Sequence, residues 1–313
     1  MAYRIKRKER VGKAIRRILR EQLRRAIECA RDRDGIQEER VHDVRTRLKR
    51  SRAALELIGG HAGKVKKSAR RTERRLRSRG RRLARPRDVV VQAHTFRILG
   101  TRLSPELPAG LLQRMRHVGE QMRRKLDEKS VEKELRRTAR ALRKVRRRLR
   151  KLPVKRGRRA IGKGITETYR EARRALGAVQ DDPTPERFHD WRKQVKLLSN
   201  ELKIVGRAVP ELATRYLDKV EKLGELLGEV HDLDCAAATA ERHPRWFGSE
   251  AECDAVRGLV AEHRVVLERE AFALAAGLFA GRARDVRELV ESGWETWRKR
   301  AAKAEEVATE QAA

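Results

Sequence analysis

The sequence predicts an all-α protein built as two antiparallel helical bundles related by a pseudo-twofold axis. Three observations carry that reading. Apolar residues recur at the helical period almost throughout, with no convincing strand alternation. Glycine and proline punctuate the pattern at intervals that fit short helix–helix connections. A basic stretch, Arg40-Val-His-Asp-Val-Arg-Thr-Arg-Leu-Lys-Arg-Ser-Arg52, recurs as Arg187-Phe-His-Asp-Trp-Arg-Lys-Gln-Val-Lys-Leu-Leu-Ser199.

The elements follow from the breakers. Helices are expected over 4–31, ahead of Gly35, and over 37–59, ahead of Gly59-Gly60. Two more, over 62–83 and 88–101, are parted by Pro86; Arg87-Asp88 reads as a helix entry, so Val89-Val90-Val91 is not a strand. Pro105 and Pro108 precede a helix over 109–127, and another over 130–152 runs up to Pro153 and Gly157, the natural seam. Beyond the seam come 158–180, then 185–207 after Pro183 and at Pro185, 211–242 after Pro210, 250–280 after Pro244 and Gly248, and 283–308. One domain of 313 residues is expected, duplicated internally as 1–155 and 156–313.

The repeat has an offset of 147, matching Arg40, His42, Asp43, Arg45, Lys49, Leu55 and Gly59 to Arg187, His189, Asp190, Arg192, Lys196, Leu202 and Gly206. A second echo, at offset 144, aligns the stretch Leu83 to Asp88 with Leu227 to Asp232 and reads as an equivalent turn in each half. On the first repeat helix Val41, Val44, Leu48, Leu55 and Ile58 form an apolar stripe. His42, Arg45, Lys49 and Arg52 run beside it, about 100° around the helix. The second helix pairs Phe188, Trp191, Val195, Leu198, Leu202 and Val205 with His189, Arg192, Lys196 and Lys203. A basic row is usually a solvated face, but the same row at the same phase to its core stripe, twice, points to a polyanion site. His42 and His189 each open a helix in this reading, where free N–H groups favour anions. Asp43 and Asp190 fall in the first turn, where the helix dipole steadies a carboxylate.

Composition agrees. The net charge is +35, with 40% charged and only 4% aromatic residues. From Glu211 onward there are 15 Lys+Arg against 21 Asp+Glu, so the first 210 residues carry the whole excess. Such segregation calls for an anionic partner: nucleic acid, an acidic membrane or a phosphate polymer. The longest apolar stretch, 271–281, is too short to span a bilayer, so no membrane insertion is expected. Cys29, Cys235 and Cys253 lack paired spacing and read as reduced thiols of a cytoplasmic protein; the basic N-terminus has no apolar core and no export signal is expected.

These residues resemble the CHAD family, the conserved histidine α-helical domain. Its first motif is matched by His42-Asp43-Val44-Arg45, Leu48-Lys49-Arg50 and Arg52, and its second by His189, Arg192, Lys193, Val195 and Lys196. Tyr169-Arg170 with Arg173 looks like its Tyr-Arg-x-x-Arg helix, and Leu227-Gly228 through Asp232-Leu233-Asp234 like its Leu-Gly-x-x-x-Asp turn. The resemblance implies paired helical bundles flanking a basic cleft or pore, binding of inorganic polyphosphate, often at intracellular granules, and no catalysis. The motifs and the two basic rows together give the expected ligand contacts as His42, Arg45, Lys49, Arg50, Arg52, Arg170, Arg173, His189, Arg192, Lys193, Lys196 and Lys203, with no catalytic residue, metal or cofactor expected. Ser199-Asn200 replaces a frequent Arg-Tyr, and Ala84 replaces the glycine of the first-half turn. No triphosphate-tunnel signature accompanies the module.

Other signals weigh less. Gly157 to Gly164 nearly matches a P-loop, but no strand precedes it and Gly164 lacks the hydroxyl for Mg²⁺. The His-Asp pairs at 42, 189 and 231 suggest a metal-dependent phosphoanhydride hydrolase, yet they sit among Lys and Arg that repel a divalent cation. The runs 64–87, with 13 Lys+Arg, and 133–159, with 15, carry almost no aromatic residues. Single-strand nucleic-acid recognition is therefore disfavoured, and sequence-nonspecific duplex binding remains the alternative to polyphosphate.

Overall fold

A computed structural model describes residues 3–6, 9–59, 64–102, 109–124, 126–152, 154 and 157–310, and among these there is helix and no strand. The first half contains α1 (Val11–Cys29), α2 (Gln37–Gly59), α3 (Lys64–Arg82), α4 (Ala84–Arg102), α5 (Ala109–Arg124) and α6 (Glu128–Arg148). The second contains α7 (Arg158–Asp181), α8 (Pro185–Val205), α9 (Pro210–Leu212), α10 (Asp218–Arg242), α11 (Glu250–Leu278) and α12 (Ala283–Glu310). A π turn, Ala213–Leu217, joins α9 to α10 in one helical run. The predicted breakers Gly60, Pro105, Pro108 and Pro153 lie outside the described residues.

Local chemistry sets these boundaries. Asp127 caps α6, accepting from Ser130 N at 3.1 Å. Thr184 caps α8, whose first residue is Pro185, with φ suited to a helix start. Ser249 and Glu252 form a reciprocal capping box on α11, reached through Gly248 at φ +112°. Once started, each helix turns an apolar face inward, as in α1, where Ile15, Ile18, Leu19 and Leu23 are fully buried.

Three expectations need correction. The first helix begins at Val11, not at 4, because Ile5 is buried and its N–H donates to Ile204 O at 3.0 Å, docking the N-terminal segment on α8. Pro86 does not break the chain; it lies in the first turn of α4, where a missing N–H costs nothing. The two aligned Asp positions, Asp88 and Asp232, lie inside helices α4 and α10 and not in turns.

Each half repeats a set of neighbours. α1 packs on α2 and α6, α2 on α3 and α4, and α4 on α5; α7 packs on α8 and α12, α8 on α10, and α10 on α11. Across the middle, α2 touches α7 and α8, and α4 touches α10. The approach of α7 to α2 needs Gly164: a Cβ there would collide with Leu57 O and lie 2.9 Å from Leu57 C.

One core residue on α8 is out of character. Glu201 is 0% exposed and neither carboxyl oxygen has a hydrogen-bond partner. Burial holds its pKa well above the ordinary value, and the nearby Glu56 and Glu167 raise it further. The folded state therefore keeps a proton that the unfolded state has lost above about pH 4.3. Stability is complete below that pH and falls as pH rises, by at most about 1.4 kcal/mol per unit for one proton. Glu201→Gln is expected to flatten the stability profile between pH 5 and 8 in urea denaturation. An unchanged slope would mean that the carboxyl finds a partner in the folded state.

Candidate functional site

The apolar stripes of both repeat helices are buried as expected, from Val41 to Ile58 on α2 and from Phe188 to Val205 on α8. Beneath α8, Trp191 stacks on Phe272 at 5.8 Å and 16°, which fixes the rotation of the helix. The basic row follows from that rotation. Because α2 and α8 touch, their rows meet: Lys49 lies within electrostatic reach of Arg45, Arg192, Lys196 and Arg87.

Crowded cations repel, and burial strips away the water that would stabilise them. Burial first, then Arg192, Arg45, Lys196 and Arg87, hold the Lys49 ammonium down to about 8. Burial also lowers Arg45, Arg192 and Lys196 from their ordinary values. Arg192 Nε and His189 Nδ1 are buried without a protein hydrogen-bond partner. His42 and His189 are lowered by burial and nearby cations, and His231, 4.5 Å from the His189 ring, is held at about 4. Arg192, Lys193 and Lys49 all bear on the His189–His231 pair, an environment that disfavours a divalent cation.

The histidines do not open their helices. α2 begins at Gln37 and α8 at Pro185, so His42 and His189 sit in the second turn, past the free N–H groups. The first turns instead hold Glu38, Glu39 and Glu186, so Asp43 and Asp190 do not serve there either. Asp190 pairs with Lys193 at 2.7 Å.

The other predicted residues are spread more widely. Arg52 continues the row of α2 but is paired with Glu73 on α3 at 2.8 Å. Lys203 ends the row of α8 and is paired with Glu221. Arg50 turns away from the cluster, its guanidinium 5.3 Å over the Tyr3 ring. On α7, Arg170 is exposed and Arg173 reaches Gly281 O at 3.4 Å. There Tyr169 OH also lies 3.2 Å from Leu278 O and 3.1 Å from Gly281 O, so this motif secures the end of α11.

Four members of the cluster were not among the sequence candidates. Arg87 and Asp88 on α4, and His231 and Asp232 on α10, border the two rows. They are equivalent under the offset of 144; Asp88 bears first on Arg45 and Asp232 first on Arg192, and both also feel Arg87. The same offset relates Gly80 to Gly224. Arg45 donates to Gly80 O at 2.7 Å. A Cβ at Gly224 would lie 3.1 Å from Lys196 Cε and Nζ, and one at Gly228 3.6 Å from an Arg192 Nη, so both glycines make room for cationic side chains. The echo in the sequence was visible, but its reading as a turn hid what it positions.

Similarity to known proteins bears on the fold and the family. The chain resembles the crystal structure of the CHAD domain from the plant Ricinus communis, with a TM-score of 0.64 and 19% identity over 90% of this chain and 96% of that one. No curated protein matches it. The family model for the CHAD domain matches residues 17–241, which include both repeat helices, and the chain belongs to the CHAD domain family.

Proposed function

We propose that this protein binds inorganic polyphosphate, without catalysis, in a basic cleft between two pseudo-twofold-related halves, 1–155 and 156–313, of one domain. The observation that carries the reading is the meeting of Arg45, Lys49 and Arg87 with Arg192 and Lys196, supported by an Arg192 Nε–H with no protein acceptor. Lys49 is exposed, and the packing of α2 on α8 gathers the neighbouring cations around it. Arginine forks and lysine point charges suit successive phosphoryl groups. The cluster includes no Trp, Tyr or Phe to stack on bases, which supports a phosphate chain over single-stranded nucleic acid. On this reading the protein works in the cytoplasm, at polyphosphate granules.

The test is competition. Labelled long-chain polyphosphate, followed by fluorescence polarisation, should resist displacement by duplex DNA at equal phosphate concentration, while unlabelled polyphosphate displaces bound DNA. Displacement by DNA with equal or greater efficiency would replace this reading with a nonspecific nucleic-acid one. Protein with Mg²⁺ or Mn²⁺ and polyphosphate should release no phosphate.

Lys49 supplies a pH signature. A bound polyanion favours the ammonium and raises its pKa, so protons are taken up on binding. Affinity should therefore fall as pH rises through about 8, with a ceiling of about tenfold per unit for one proton. Lys49→Arg, whose charge does not titrate, is expected to flatten the profile between pH 7 and 9.5. A variant that keeps the full fall would assign the proton to another group.

A further inference from the structure

A second basic recess lies on the opposite flank of α3. Arg79 and Arg82 of α3 and Arg137, Arg140 and Lys144 of α6 line a cavity of about 600 Å³, with Ala141 as the sixth lining residue. The helical phase of α3 separates the two sites. Leu76 and Leu83 point into the core, while Glu73 and Gly80 turn to the row of α2 through Arg52 and Arg45. Arg79 and Arg82 fall on the other side, against α6.

On α6, Arg137, Arg140 and Lys144 lie at i, i+3 and i+7, beside the buried stripe of Leu135, Ala139 and Leu142. Among the described residues, Glu134 is the one acid that pairs with the lining residues, at 3.3 Å from Arg79 and 4.0 Å from Arg137. Arg82, Arg140 and Lys144 make no ion pair or hydrogen bond among the described residues.

We infer that this recess is a second anion site and takes condensed phosphate, a run of adjacent phosphoryl groups. Four guanidinium forks and one ammonium supply charge-assisted donors on two facing walls. No aromatic side chain lines the recess to stack a base, and no acidic side chain lines it to hold a cation. The volume lies within the range of small-molecule pockets, about 300–1,000 Å³, which leaves room for several phosphoryl groups. The ligand has two sources, a free short oligophosphate or a segment of the chain that occupies the cleft. The inference rests on the reading above only in sharing its ligand chemistry.

Isothermal titration with tripolyphosphate at about 150 mM salt, near physiological strength, tests the site. The intact chain should bind at two sites. Arg82→Gln/Arg140→Gln/Lys144→Gln removes only unpaired surface charge, so the fold is preserved, and should leave one site. Arg45→Gln/Lys49→Gln/Arg192→Gln/Lys196→Gln should leave the other. One site in the intact chain, unchanged in the α3–α6 variant and abolished in the second, would overturn this inference while leaving the cleft reading intact. Loss of all binding in the α3–α6 variant alone would overturn the cleft reading instead. Long-chain polyphosphate separates the sources. A chain spanning both sites should bind the α3–α6 variant about tenfold or more weakly than the intact chain. Unchanged long-chain affinity beside a lost tripolyphosphate site assigns the recess to free oligophosphate.

Discussion

Replacing Arg45, Lys49, Arg192 and Lys196 together by glutamine is expected to weaken long-chain polyphosphate binding at least a hundredfold. Hydrogen bonds to charged groups are worth roughly 1.5–3 kcal/mol each, and a hundredfold loss needs only about 2.7 kcal/mol. The bound stays low because neighbouring contacts are not additive. Removing the same number of charges at exposed Lys13, Lys163, Lys219 and Lys222 should cost about threefold or less, since distant surface charges are screened. Fluorescence polarisation, with circular dichroism as the check on folding, measures both. Equal losses in the two variants would remove the site from α2 and α8.

The second large effect is on stability. Gly164→Val places branched carbon against the backbone of Leu57, which cannot swing aside as a side chain can. Overpacking usually costs about 1–3 kcal/mol and more where backbone is struck, so a loss of about 3 kcal/mol or more is expected in urea denaturation. Gly177 on the same helix has nothing within 4 Å of a built Cβ. Gly177→Ala should therefore stabilise by about 0.5–1 kcal/mol, through helix propensity. A tolerated valine at 164 would mean that α2 and α7 separate freely. The contrast also gives the P-loop-like run its structural meaning: its last glycine admits a neighbouring helix.

Much of this was legible in the sequence because period and punctuation are local. The helices and both buried stripes follow from residues within a few turns of each other. Position in three dimensions was less accessible. Arg50 and Arg52 lie in the same motif as Lys49, yet Tyr3 and Glu73 draw them to other neighbours, and both come from elements distant in sequence. Arg170 and Arg173 carry the right chemistry on a helix whose tyrosine serves the end of α11. Glu201 had no local sign at all. Its repeat partner is Ala54, and only packing reveals that the carboxyl is enclosed.

The glycines beneath the cations bear on how a chain would move through the site. With the Lys196 stem against Gly224, Arg192 beside Gly228 and Arg45 fixed to Gly80 O, the donors form a stiff comb. A phosphate chain is periodic, so shifting it by one unit presents the same oxygens to the same teeth. If polyphosphate is the ligand, a long chain would have many degenerate registers, and its apparent affinity would grow with their number even after every tooth is engaged. Under the proposed function it would creep from one register to the next without leaving, and a chain end, not the middle, would be the point of release.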